Sequence, residues 1–410
     1  MSEKQTIIVA GRVVTCDPAR ATPDDPLGVI EQGGVLIDGS RLEQVGLGAD
    51  LLRRHPEAAR REHPDGTLTP GLVDAHTHAA WVGSRAGEYA MRMAGAGYEQ
   101  IARAGGGIVA SMRAVRAASR DEITRALVAR LRRMAALGVT AVEVKSGYGL
   151  DETTERRQLE AVARAGEDAG LPRLVPTFLG LHALPPEAAG DRDGYARRCA
   201  AWLEGIAREG LARYADAYVD RGAFSAAQAR IVLARARELG LGVRLHAGQF
   251  ADVGGAELAA ELGAASVDHC EHLSEASILR LAEAGVRAAL LPVASFTLAQ
   301  APPPIETLRR AGVRLVVASD ANPGTAPTES LPLALALGVR SYGISVAEAL
   351  LGATREAAVS LGLPSGVLRP GAPADLVLWD LPEESAIVQP WGTARVRLVM
   401  REGQVIVQAS

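Results

Sequence analysis

From Pro70 onward the chain alternates short apolar runs of strand type with longer amphipathic stretches of helical period. The strand-like runs are residues 71–76, 139–145, 173–178, 216–220, 243–246, 265–269, 286–290 and 313–319, eight in all. Short, nearly continuous apolar runs bounded by turn residues suit strands buried on both faces, the habit of parallel sheets. Between them lie helical stretches such as 121–137 and 225–239. The first is preceded by Ser119-Arg120-Asp121-Glu122, which fits a capping box, and the second ends at Gly240. Eight βα units predict an α/β fold, a (β/α)8 TIM-type barrel with its active site at the C-terminal ends of the strands.

Both ends of the chain read differently. Residues 6–14 and 34–46 are strand-like, with a turn at Ile37-Asp38-Gly39-Ser40, and residues 375–379, 396–400 and 403–407 have the same character. This predicts a small discontinuous β-sandwich-like domain formed by both termini, residues 1–68 and 363–410, beside a barrel at 69–362. Between His78 and Asp121 the first unit is stretched by a Gly-rich insertion, Gly95-Ala96-Gly97 and Gly105-Gly106-Gly107, expected to cover the barrel mouth as a lid. No Gly-Lys-Ser/Thr follows it, so a phosphate cradle is not indicated.

Composition narrows the partners. A net charge of -4 and a pI near 6.1 exclude any general attraction to nucleic acid or anionic membrane, leaving a small molecule as the expected partner. The three cysteines, Cys16, Cys199 and Cys270, form no Cys-x-x-Cys pair, and no signal peptide or spanning helix is read near Met1, so a cytoplasmic enzyme is expected. Lys4 and Lys145 are the only lysines in an otherwise arginine-based set of cations.

Four residues carry the chemistry: His76 and His78 in Val73-Asp74-Ala75-His76-Thr77-His78, His246 in Leu245-His246-Ala247-Gly248, and Asp320 in Ala318-Ser319-Asp320. His-x-His alone is weak, because alternate residues of any strand share a face. All four, however, close apolar runs and so fall at one end of the barrel, where they read as ligands of a single metal ion. Imidazoles with one carboxylate suit Zn²⁺ or Fe²⁺, whereas Mg²⁺ asks for more oxygen. Such an ion brings bound water from a pKa of about 15.7 to near 7. His182 and His269 also sit at strand ends, while His55 and His63 read as solvated and His272 as structural. A second metal would call for a lysine at the end of strand four, but that strand closes with Ala217-Tyr218-Val219-Asp220. Lys145 ends strand two instead and reads as structural or substrate-supporting, with Glu143, Ser146 and Tyr148 as candidate partners.

Asp74-Ala75-His76-Thr77-His78 with His246, His269 and Asp320 resembles the amidohydrolase superfamily in its mononuclear branch. Further stretches, Val82-Gly83-Ser84-Arg85-Ala86, Ile101-Ala102-Arg103-Ala104-Gly105-Gly106-Gly107-Ile108, Glu143-Val144-Lys145-Ser146-Gly147-Tyr148-Gly149-Leu150, Pro176-Thr177-Phe178-Leu179-Gly180 with His182, and Ser319-Asp320-Ala321-Asn322-Pro323-Gly324-Thr325, are similar to the ring-opening hydrolases of histidine degradation. The likeness spans nearly the whole chain. It implies hydrolysis of a cyclic amide C–N bond in an imidazolone bearing a propionate, one Zn²⁺ or Fe²⁺/Fe³⁺ per subunit, and a homodimer. It further implies that Arg85 binds the carboxylate, that Tyr98, Tyr148 and His182 contact the substrate, and that Asn322, Gly324 and Thr325 hold the ring or product. Gln249 stands where a Glu also occurs in the family; an amide cannot act as a base, so proton transfer falls to Asp320 or His269, the expected catalytic pair. Leu181 stands where a smaller residue is expected. Another cyclic-amide hydrolase or a deaminase of the superfamily shares the metal machinery without needing a carboxylate clamp. A non-catalytic barrel is the remaining reading, and the intact ligand set speaks against it.

Overall fold

A computed structural model describes residues 5–95, 100, 106–389, 391–393 and 395–409. The N-terminal segment contributes β1 (Thr6–Val14), β2 (Val29–Glu31), β3 (Gly33–Asp38), β4 (Arg41–Leu47) and β5 (Ala59–Pro70). Far along the chain, β14 (Leu376–Trp379), β15 (Val396–Arg401) and β16 (Gln404–Gln408) complete the same eight-stranded sheet in the order β16-β15-β14-β5-β1-β3-β4, with β2 on β1. Both ends of the polypeptide therefore share one sheet, joined where β14 pairs antiparallel with β5. The β5 strand was not foreseen. Its first half is charged and solvent-facing and only its last five residues are buried, so no apolar run marks its start. His55 and His63, expected to be solvated, are half-buried here: His55 Nε2 meets Gln44 Nε2 at 2.9 Å and His63 Nδ1 meets an Arg397 nitrogen at 3.2 Å.

The middle of the chain forms β6 (Leu72–Asp74), β7 (Val139–Lys145), β8 (Arg173–Leu181), β9 (Tyr214–Val219), β10 (Gly242–Ala247), β11 (Ser266–His269), β12 (Arg287–Leu290) and β13 (Leu315–Val317). Neighbours in this order pair in parallel throughout, as alternating βα units require. The ring closes between the segments after β13 and β6. Asp320 N donates to His76 O at 3.1 Å, His78 N to Ala321 O at 3.0 Å, and Thr77 bridges Ala321. Ser319 adds its backbone N–H and hydroxyl to the Asp74 carboxylate at 3.0 and 2.5 Å. The α/β barrel with an additional sheet from the termini is thus present as expected.

Helix ends follow their local signals. Ser119 accepts from Glu122 N while Glu122 accepts from Ser119 N, starting the helix Arg120–Ala136, and Ser225 with Gln228 repeats the arrangement ahead of Ala226–Glu238. Wrapped by such helices, the strands build one large core of Leu, Ile, Val and Ala. The entry of the barrel is tied to the terminal sheet, because β5 runs through Gly71 straight into β6 and Gly71 N donates to Asp375 O at 3.0 Å. All three cysteines are buried free thiols. Among the described residues no helix is long and apolar enough to cross a membrane.

Candidate metal centre

His76 and His78 follow β6, His246 lies in β10 and Asp320 follows β13, and their side chains meet inside the barrel mouth. His76 Nε2 and His78 Nε2 are each 3.5 Å from Asp320 Oδ1, and His246 Nε2 is 3.3 Å from His78 Nε2. Metal–nitrogen bonds of about 2.0–2.1 Å at tetrahedral angles put neighbouring ligand atoms about 3.3 Å apart, and these three contacts have that length. His76 Nε2 is buried with no hydrogen-bond partner, an expense that a bound cation removes. His76, His78 and His246 form a metal-binding group. Burial drives His76 and His78 well below the usual imidazole value, which keeps them in the neutral, ligating form. Burial also pushes the Asp320 carboxyl up to about 7, against the pull of His269.

Beneath these ligands lies an ionic layer that the sequence reading missed. His76 Nδ1 pairs with Asp268 Oδ2 at 2.7 Å and His246 Nδ1 with Asp216 Oδ2 at 3.0 Å, each leaving its Nε2 turned to the centre. Lys145 Nζ lies 2.7 Å from Asp216, 2.7 Å from Glu143 and 3.8 Å from Asp268. Arg244 adds a second cation, 3.6 Å from Asp268 and 2.9 Å from Ala75 O. All five charged residues are fully buried. Strand parity explains the layering: Glu143 and Lys145 on β7, and Arg244 and His246 on β10, are two residues apart and face inward together. Burial opposes the charge of Lys145, but Asp216, Glu143 and Asp268 outweigh it and raise its pKa; burial likewise opposes the charge of Asp216, but His246 and Lys145 hold it below the carboxylate range. Lys145 is therefore not partnered by Ser146 or Tyr148; it spans the carboxylates behind two ligands.

Parity is broken where the chemistry needs it. Successive strand residues point to opposite faces, yet Asp268 and His269 both project inward. His269 achieves this with a left-handed backbone (φ 88°), followed by Cys270 (φ 75°), and Asp320 is left-handed as well (φ 54°). Such conformations cost roughly 1–3 kcal/mol each in non-glycine residues and collect at working sites.

The remaining predicted residues fall into three groups. Tyr148 and His182 reach the centre: the His182 ring stacks on His78 at 4.7 Å, and Tyr148 is 5.3 Å from His182 and 6.0 Å from His78. The Tyr148 loop is held by Glu155, whose carboxylate accepts from the backbone of Gly147, Gly149 and Leu150, each at 2.8 Å. Gly147 is required there, being left-handed with its added Cβ only 3.0 Å from His182 Nδ1. Gln249 is buried, and its carbonyl accepts from the Tyr218 hydroxyl at 2.7 Å.

Arg85 stands at the rim, gripped by Glu88 through Nε at 2.9 Å and Nη2 at 2.5 Å, so one edge of its fork is already used. The loop after Asp320 departs from expectation. Asn322 donates to Asp320 O and to Thr325 Oγ1, and accepts from the backbone N–H groups of Gly324 and Thr325, which exhausts its amide. It shapes the loop that carries Asp320. Gly324 likewise makes room for Arg85, since an added Cβ would stand 2.4 Å from Arg85 Nη1. Leu181 is fully buried, a packing residue, and the His272 side chain is exposed. Tyr98 and most of the expected lid lie outside the described residues.

Comparison with known proteins agrees with this geometry. The model of the amidohydrolase family matches residues 67–406. The imidazolonepropionase of Polaromonas sp. (strain JS666 / ATCC BAA-500) is 43% identical over 392 residues, covering 95% of this chain and 92% of that protein. That of Methylobacterium sp. (strain 4-46) is 45% identical over 385 residues, covering 92% and 95%. Among solved structures, a zinc-bound adenosine deaminase from Xanthomonas campestris is similar with a TM-score of 0.72 at 22% identity, covering 98% of this chain and 92% of that one. An atrazine chlorohydrolase from Arthrobacter aurescens TC1 in complex with zinc has a TM-score of 0.72 at 19% identity, covering 98% and 95%. At these identities the structural likeness speaks to the fold alone.

Proposed function

The chain belongs to the amidohydrolase family, among its imidazolonepropionases, and on that premise we propose that it opens 4-imidazolone-5-propanoate to N-formimidoyl-L-glutamate by adding water across the ring amide. The observation that carries this reading is the gathering of His76, His78 and His246 in one group, with Asp320 Oδ1 3.5 Å from His76 and His78, over a buried layer of carboxylates and cations. His76, His78, His246 and Asp320 would hold one Zn²⁺ or Fe²⁺ per subunit. When bound, such an ion supplies Lewis acidity, lowering the pKa of a water and polarising the ring carbonyl. We take the working form to be a cytoplasmic homodimer, with a small molecule as its partner in place of nucleic acid or membrane.

The residues divide the work. The free edge of the Arg85 guanidinium, away from Glu88, receives the propionate, and the Tyr148 hydroxyl and His182 bracket the ring. Gln249, its carbonyl already used, offers its NH₂ to ring acceptors. As the water oxygen bonds to the carbonyl carbon, His269 steadies the charge that develops on the carbonyl oxygen. Asp320 takes a proton from the water and passes it to the ring nitrogen as the C–N bond breaks.

Substrate assay tests the reading. The purified protein, fully loaded with Zn²⁺, is expected to hydrolyse imidazolonepropionate and leave hydantoin and nucleobases unchanged; the opposite preference would sink it. Arg85→Ala is expected to raise KM about 10- to 100-fold with kcat nearly unchanged, the loss of one charge-assisted contact in ground and transition state alike. Steady-state kinetics showing the fall in kcat alone would remove Arg85 from the carboxylate role.

A further inference from the structure

His269 and Glu271 face each other in the buried wall of the site. His269 Nδ1 lies 3.8 Å from Glu271 Oε2, and both atoms are sealed from solvent with no hydrogen-bond partner. His269 Nε2 is not among the sealed, partnerless atoms, so the imidazole turns one nitrogen to Glu271 and the other to the site. The other oxygen of Glu271 is fixed: Oε1 accepts from the Ser295 hydroxyl at 2.6 Å, and Ser295 Oγ in turn contacts the Tyr342 hydroxyl at 2.5 Å. These groups come from three segments, the turn after β11, the helix Pro292–Leu298, and the π-helical turn Gly338–Tyr342. Two consecutive left-handed residues, His269 and Cys270, bring Glu271 back against the ring of His269. A buried carboxylate oxygen left unpaired is costly, and a slight closure of the 3.8 Å gap would satisfy it and the imidazole together.

The geometry points to Glu271 as a positioning residue for His269, anchored by Ser295 and Tyr342, that receives the Nδ1 hydrogen and so aims an Nε2–H at the reacting carbonyl oxygen. The role matters more in this chain because Gln249, held by Tyr218, cannot carry a proton. The inference rests on the imidazolonepropionase reading for its kinetic consequence but not for its structural one.

Glu271→Gln tests it. Ser295 keeps the amide carbonyl, so the NH₂ faces Nδ1 and makes that nitrogen an acceptor; the ring loses its Nδ1 hydrogen and, left neutral, is a weaker donor to the developing oxyanion. In the Zn²⁺-loaded protein labelled with ¹⁵N-histidine, the Nδ1–H signal of His269, assigned by its loss in His269→Gln, is expected in the wild type and absent in E271Q. With metal content unchanged, kcat is expected to fall at least about 100-fold while KM stays within about threefold. Glu271→Asp, which restores a carboxylate, should recover at least about tenfold of that loss. Identical His269 signals in wild type and E271Q, or a loss of kcat matched by loss of metal, would overturn the role. Should E271Q not fold, Ser295→Ala frees Oε1 and is expected to lower kcat several-fold at constant KM; wild-type kcat would overturn the anchor. If the wild type ignores imidazolonepropionate, the substrate reading fails, and the histidine spectra still decide on Glu271.

Discussion

Asp320→Ala is expected to lower hydrolysis at least about 10⁴-fold, because in the proposed mechanism one side chain serves both as a metal ligand and as the proton carrier. Its carboxylate oxygen sits 3.5 Å from His76 and from His78, and the loop behind it is braced by Asn322. Removing it leaves three imidazoles, so bound Zn²⁺ should weaken as well, measured by competition with a chromophoric chelator. Asp320→Asn separates the duties, since an amide oxygen can still ligate but cannot take a proton. That variant is expected to retain metal and still lose most of its kcat. A D320N protein with metal bound and activity near wild type would show that the proton travels by another route.

Lys145→Met is expected to destabilise the protein by about 3–5 kcal/mol, the penalty for removing one partner from a buried ionic set. Without the ammonium, Glu143, Asp216 and Asp268 are left sharing a dry interior with Arg244 and the imidazoles of His76 and His246. Each carboxylate then gains by taking up a proton, and a protonated Asp216 or Asp268 no longer holds the Nδ1 hydrogen of its histidine. Metal affinity should therefore fall about 10- to 100-fold, the usual loss when a ligand's own hydrogen-bond partner is disturbed. Urea unfolding and chelator competition read the two effects separately. Unchanged stability together with unchanged affinity would mean that the layer does not hold the ligands.

The barrel strands, and the approach of His76, His78, His246 and Asp320 at their ends, were legible because a parallel strand announces itself as an apolar run, and each of these residues closes one. Less could be read where side chains act through space. Asp268 looks like an ordinary polar strand end until His269 turns left-handed and both side chains enter the barrel. Glu155 lies on a helix in line with the buried Leu159 and Val162, a charged residue on the inner face, and its carboxylate gathers three backbone N–H groups of the Tyr148 loop. Glu271 and Ser295 are 24 residues apart, with no pattern linking them. Asn322 has the chemistry for a substrate contact, and only the folded loop shows that its amide also braces Gly324 and Thr325. The strand β5 escaped because half of it is charged and lies where the sheet meets water.

The seam of the barrel has a consequence for how the molecule comes to life. Its closing bonds join Asp74 to Ser319, 245 residues apart, and they lie at the very level of the ligands. A chain still emerging from the ribosome can bring His76, His78 and His246 together, but it lacks the carboxylate until its last barrel strand docks. Topological completion and chemical competence thus coincide, and a half-made polypeptide is an incomplete trap for ions as well as an inert one for substrate.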